Sequence, residues 1–282
     1  MAEFELTFDG ALADEGYLEF YDAARALAGF QRSLALTAHL VINGEIITQA
    51  PSAAGFELLI PPFREGSWKS RAKLVIGSAI VLGSVGKDSP VGQIVTSVYS
   101  YALSETMGFP VDYNKTLQQQ YGDYLKSQDI SESKIDSLCE KIENSVADMH
   151  RPIVKSQSAT RGQITRCDYH RQDIGPIMSP VTYEYVKQTI HQDDEINITG
   201  YISSYNVNTF RGRIFSIQED RPVPFELSET ARGRRIVGLI TSSQHNHGQN
   251  PFSNSAIINL LGTRLVSVTG KTKRFLISSV NS

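Results

Sequence analysis

Ile196-Asn-Ile-Thr-Gly-Tyr-Ile-Ser-Ser204, Thr209-Phe-Arg-Gly-Arg-Ile-Phe-Ser-Ile217 and Val223-Pro-Phe-Glu-Leu227 carry the short β-rich patterning of half-buried strands. Similar runs follow at Ile236 to Ser242, Ala256 to Thr269 and Phe275 to Val280, punctuated by Gly and Asn. No helical period is read among them. Five or six short strands in so brief a stretch predict a small all-β barrel of the OB or SH3-like kind over residues 195–282. The acidic run Gln192-Asp-Asp-Glu195 reads as the junction with what precedes it.

The preceding part, residues 1–192, reads as an α+β domain with a helical middle. Phe4, Leu6 and Phe8 alternate with polar residues up to Asp9-Gly10, a strand and a turn. Tyr17 to Ile42 has no proline and places Phe20, Ala24, Leu27, Leu34, Ala38 and Val41 at helical spacings, with Asn43-Gly44 as a left-handed stop. Glu45 to Thr48, Phe56 to Ile60 and Gln163 to Cys167 read as strands. Asn114 to Lys126 and Glu132 to Met149 read as helices, the second with Ile135, Leu138, Ile142, Val146 and Met149 on one face, and a short helical turn is read near Tyr183 to Ile190.

Charge divides unevenly along the chain. Of 27 basic and 30 acidic residues, ten and four lie after Glu195, so that stretch is +6 and the rest, with 17 and 26, is −9. Such a split points to a binding surface. Two cysteines, Cys139 and Cys167, provide no disulfide framework and fit a reducing cytoplasm. Met1-Ala-Glu-Phe-Glu-Leu has neither the basic start nor the apolar run of a secretory signal.

No catalytic constellation is complete. Gly83-Ser-Val-Gly86-Lys87-Asp88-Ser89 resembles a phosphate loop but has Val81 where the first glycine is required and Asp88 where a hydroxyl binds the metal. His245-Asn-His247, in a stretch read as a loop, and Cys167 with His170 offer pairs of ligands where a metal needs three or four. No metal or cofactor is therefore expected. Gly66-Ser67-Trp68 with His39 as base is better explained as a structural turn, and His39, His150, His170 and Glu65 are the only scattered candidates for an active site. The glycine-spaced apolar run Leu74 to Gly86, with Gly77, Gly83 and Gly86, reads as core or as an oligomer contact. At thirteen residues it is too short to span a bilayer, which needs about 20. A membrane-acting segment over residues 74–103 is the competing reading.

The strongest candidate surface is basic: Arg211, Arg213, Arg232, Arg234, Arg235, Lys271, Lys273 and Arg274, with Tyr201, Tyr205, Phe210, Phe215 and Phe225 among the strands. Arginines and aromatic rings together suit nucleic acid, DNA or RNA, while the same charge suits docking on an acidic protein face, including another copy of the chain. At Tyr21-Asp-Ala-Ala-Arg-Ala-Leu-Ala-Gly-Phe-Gln-Arg-Ser-Leu34 and Pro61-Pro-Phe-Arg-Glu-Gly-Ser-Trp68 the chain resembles a group of uncharacterised bacterial two-domain proteins, an N-terminal α+β domain followed by a small β-barrel. That resemblance implies a bacterial origin and a place in mobile or phage-defence gene neighbourhoods, and it assigns no functional residue. The expectation is a non-enzymatic interaction or assembly protein, a homo-oligomer or partner-bound, with nucleic-acid binding through the barrel as the alternative.

Overall fold

A computed structural model describes residues 2–60, 68–76, 90–168, 171–187, 189–250, 254–266 and 272–281. The chain divides into two compact units, Met1–Lys187 and Gln188–Ser282. In the first, β1 (Ala2–Asp9) leads through a short 3-10 turn to α1 (Phe20–Asn43), followed by β2 (Phe56–Leu59) and β3 (Lys69–Ile76). The helical middle comprises α2 (Pro90–Thr106), a π-helical turn, α3 (Gln119–Ser127), α4 (Glu132–Met149) and α5 (Arg151–Val154). Strands β4 (Arg161–Arg166) and β5 (Gln172–Met178) and helix α6 (Pro180–Lys187) complete the unit. The sheet is antiparallel in the order β2-β3-β1-β4-β5.

The α+β reading holds, and α4 begins and ends where its apolar face requires. Ser131 caps α4 by accepting from the Lys134 N–H. Gly44 takes φ +69° and its N–H closes α1 on the Leu40 carbonyl at 2.8 Å. Three details depart from the sequence reading. Glu45 to Thr48 forms no strand, and β5 appears where none was expected. The buried face of α1 starts at Asp22, Ala23 and Ala26 and not at Phe20 and Ala24, because Asp22 is anchored by Arg151 at 2.8 Å and by the Ser156 N–H at 3.0 Å. That anchor turns Phe20 outward, to 86% exposure.

The apolar segment from Leu74 to Leu103 divides among different structures. Leu74 to Ile76 end β3, and residues 90–106 form α2, whose Ile94, Val95, Val98 and Tyr99 are buried in the core. Among the described residues no helix is long and apolar enough to cross a membrane. The phosphate-loop-like stretch and Gly77, Gly83 and Gly86 lie outside the described residues.

The second unit is a closed five-stranded barrel. Its strands are β6 (Ile190–Asn206), β7 (Arg211–Ser216), β8 (Arg221–Leu227), β9 (Ile257–Val266) and β10 (Thr272–Asn281), in the order β10-β8-β7-β6-β9 with β9 also paired to β10. Only β8 and β10 run parallel. This Greek-key order is that of an OB barrel. Gln192 to Glu195 lie within β6. Ile198, Ile202, Ile214, Val223, Phe225, Leu260, Phe275 and Ile277 fill the interior.

One expected strand is a helix: α7 (Arg234–Gln249) replaces Ile236 to Ser242 and the loop read after it. Ile236, Ile240, Ser243 and His247 recur at intervals of four, three and four, which is one face of a helix, whereas the β-branched composition alone favoured a strand. The Ser243 hydroxyl fastens α7 to the barrel, accepting from the Ile202 N–H at 3.2 Å and donating to the Ala256 carbonyl at 2.6 Å.

Two tests follow from this packing. A Cβ on Gly29 would lie 2.4 Å from the Ser145 carbonyl oxygen across the α1–α4 contact, so Gly29→Ala should cost about 1–3 kcal/mol in urea unfolding. His150 is fully buried, its Nδ1–H donating to the Val146 carbonyl at 2.6 Å and its Nε2 2.8 Å from the Thr182 hydroxyl. Burial lowers its pKa from 6.5 to about 4. The unfolded chain therefore binds this proton first, and the stability is complete above pH 6.5 and declines as pH falls towards 4. The loss amounts to roughly 3 kcal/mol, and urea titrations at stepped pH should show a shallower decline for His150→Gln.

Candidate functional site

The β7–β8 register places Arg211 opposite Glu226, and the parallel β8–β10 pair places Glu226 opposite Leu276, two positions after Arg274. The carboxylate of Glu226 consequently meets three guanidinium groups. Its Oε2 accepts from Arg211 Nε at 3.1 Å and Arg274 Nη1 at 3.3 Å, and its Oε1 lies 3.8 Å from Arg232 Nη2. On this outward face three guanidinium groups share the one carboxylate of Glu226.

Arg232 comes from the 3-10 turn after β8 and is oriented twice. Its Nε donates to the Leu227 carbonyl at 3.2 Å, and its guanidinium lies 5.1 Å over the Phe210 ring. Phe210, in the β6–β7 turn, has φ +57°, a left-handed conformation that an aromatic residue rarely adopts. Its N–H donates to the Asn206 carbonyl at 2.9 Å, and its own carbonyl accepts from the Leu227 N–H at 3.0 Å. The turn is thus tied to the strand that carries Glu226.

The remaining basic candidates disperse. Arg234 and Arg235 are exposed in the first turn of α7, whose N-cap Gly233 provides no side-chain cap. Lys273 donates to the Thr189 hydroxyl at 3.1 Å. Arg213 is 2% exposed and so is not presented to a ligand. Lys271 lies outside the described residues. Of the five aromatic candidates Phe210 lies under the Arg232 guanidinium and Tyr205, whose hydroxyl feels the Arg232 charge, stacks on Phe225 inside the barrel, while Tyr201 stacks on Phe215 at 5.0 Å and on His247 at 4.1 Å. The Glu226 hub was not legible beforehand, since it depends on strand register.

The scattered catalytic candidates are placed by the core. His39 is buried, its Nδ1 3.1 Å from both the Ala54 N–H and Asn43 Nδ2, and burial lowers its pKa. Both His39 and His150 serve as internal hydrogen-bonding groups. Burial raises the pKa of the Cys167 thiol, with the Glu5 carboxylate adding to the effect. His245 and His247 sit two positions apart on α7 and point to different sides of the helix. Among the described residues no group of three or more His, Cys, Asp or Glu side chains is placed to hold a metal. Glu65, Ser67 and His170 lie outside the described residues.

Fold and surface together define a two-unit protein that couples an α+β unit to an OB-ordered barrel bearing an arginine cluster. Residues 4–179 match the Domain of unknown function (DUF7946) and residues 194–281 match the Family of unknown function (DUF7947). The chain belongs to the DUF7946 family, which covers more than half of it, and carries a DUF7947 region behind it. No curated protein and no solved structure matches the chain.

The hub makes a direct prediction. Glu226→Gln removes the carboxylate that Arg211, Arg232 and Arg274 share, so the variant should elute from a heparin column at higher salt than the wild type. Unchanged elution from a folded variant would mean that the cluster is not presented to anions.

Proposed function

We propose that the chain is a non-enzymatic binding protein whose barrel holds a single-stranded nucleic acid across β7, β8 and β10. The observation that carries this reading is the convergence of Arg211, Arg232 and Arg274 on one outward face of an OB-ordered barrel, with the Phe210 ring beneath Arg232. OB barrels use the face of their second and third strands for oligonucleotides and oligosaccharides, and those strands here are β7 and β8. The positive charge favours the polyanion of the two. Guanidinium groups would contact phosphates, and Phe210 with the Arg232 plane would provide a stacking platform for a base. Arg234 and Arg235 extend the cationic track from the end of β8 onto α7.

The resemblance to bacterial two-domain proteins supports a role for such a cytoplasmic binding component in phage defence. Its contribution there would be recognition or assembly.

Fluorescence anisotropy with a labelled oligothymidylate of about 20–30 nucleotides, over a salt series, tests the reading. The wild type should bind with an affinity that falls steeply with salt. Replacing Arg232, Arg234 and Arg235 by alanine should weaken binding by about tenfold or more and flatten the salt slope by up to about three counterions. Equal binding by wild type and triple variant would remove the proposal.

A further inference from the structure

The start of α1 presents an apolar surface that the α+β core leaves open. Phe20 is 86% exposed, Tyr17 68%, Tyr21 60% and Leu12 52%. The 3-10 turn Ala11–Glu15 folds the chain back so that the Tyr17 N–H donates to the Leu12 carbonyl at 3.0 Å, next to the start of α1 where Phe20 and Tyr21 are exposed. Single exposed apolar residues are ordinary, but a group of this size marks an interaction surface. Aromatic residues are also the ones enriched in contact cores.

The surface is acidic as well as aromatic. Asp14, Glu15 and Glu19 are exposed in this segment, Asp14 accepting from the Gly10 N–H at 2.7 Å and Glu19 capping α1 at the Tyr21 and Asp22 N–H groups, and no Lys or Arg occurs before Arg25. It already accommodates one guanidinium on a ring, since Arg151 lies 5.1 Å over Tyr21 while its Nε is bound to Asp22. Carboxylates beside exposed rings suit arginine, which pairs with the first and stacks on the second. The complementary element occurs in the same chain: Arg234 and Arg235 are adjacent and exposed at the start of α7, followed by the half-buried Ile236 and Val237. The units are opposite in sign, with 17 basic and 23 acidic residues up to Lys187 and ten and seven from Gln188 onward.

We infer that the acidic aromatic surface at the start of α1 is the docking site for the Arg234–Arg235 pair of a second copy of this chain. Pairing of this surface with itself would oppose like charges, so the contact is head to tail, with two different surfaces meeting. The inference goes beyond the nucleic-acid reading and does not depend on it, although Arg234 and Arg235 serve in both.

Sedimentation velocity on nuclease-treated full-length protein, at about 50 and about 500 mM salt, tests it, since screening should weaken the contact. The expected result is self-association that is tighter at the lower salt. Phe20→Ala and the double variant Arg234→Ala/Arg235→Ala should each weaken it by about tenfold or more. Mixing the two variants should restore association but stop it at a dimer, because each keeps one intact surface. A wild type that stays monomeric at low salt overturns the inference, as does a double arginine variant that associates like the wild type. Anisotropy on the same samples separates the two readings: a monomer that binds the oligonucleotide defeats docking alone, and an associating protein that ignores it defeats nucleic-acid binding alone.

Discussion

Closure of the barrel by β9, which pairs with β6 along one edge and with β10 along the other, is the constraint on which the second unit depends. An open five-stranded sheet would leave the backbone groups of its two edges unpaired. Closing it forces β10 into the one position left, parallel beside β8, and this brings the outward side chains of β7, β8 and β10 side by side. Arg211 and Arg274 are 63 positions apart in the chain and still share one carboxylate oxygen of Glu226. The cationic surface is thus a product of topology, and a strand order without the β8–β10 pair would not assemble it.

In the first unit the comparable constraint is ionic. Glu5 is fully buried on β1, where desolvation alone would raise its pKa, yet the hydrogen bond and charge of Arg71 at 2.7 Å, with Arg171 at 3.2 Å, lower it. Lys73 with Glu3 and Arg161 with Asp9 continue this pairing along the strand. The opposite face of β1, Phe4, Leu6 and Phe8, enters the helical core, where Phe4 meets Tyr99 edge to face at 6.1 Å. A one-residue slip of β1 would exchange charged and apolar faces, so both sides of the strand enforce the same register.

Local periodicity was legible wherever a single face was buried. It located β1, α1, α4 and the barrel strands β6 to β8, because in those elements the spacing of apolar residues answers directly to one packing surface. It misread Ile236 to Ser242, where four β-branched residues imitate a strand while Ile240, Ser243 and His247 hold a helical face. It also misplaced the buried stripe at the start of α1, where a buried aspartate and its distant arginine decide the rotation of the first turn. Glu226 was invisible for a related reason. A lone acidic residue in a strand has no spacing signal, and its three arginines come from three separate elements.

Net charge gives a weaker argument for the barrel than its arginines do. The +6 counted after Glu195 falls to +3 for the whole unit once Asp193, Asp194 and Glu195, which belong to β6, are included. At physiological ionic strength the field of so small a net charge is largely screened within about 8 Å. Affinity for a polyanion would then have to come from groups in direct contact, and these are concentrated where Glu226 holds Arg211, Arg232 and Arg274 in place. A carboxylate in that position lowers the local charge but also fixes flexible side chains, which reduces the entropy lost when they bind. The cluster is therefore better suited to a ligand that contacts the arginines where Glu226 holds them than to one attracted from a distance.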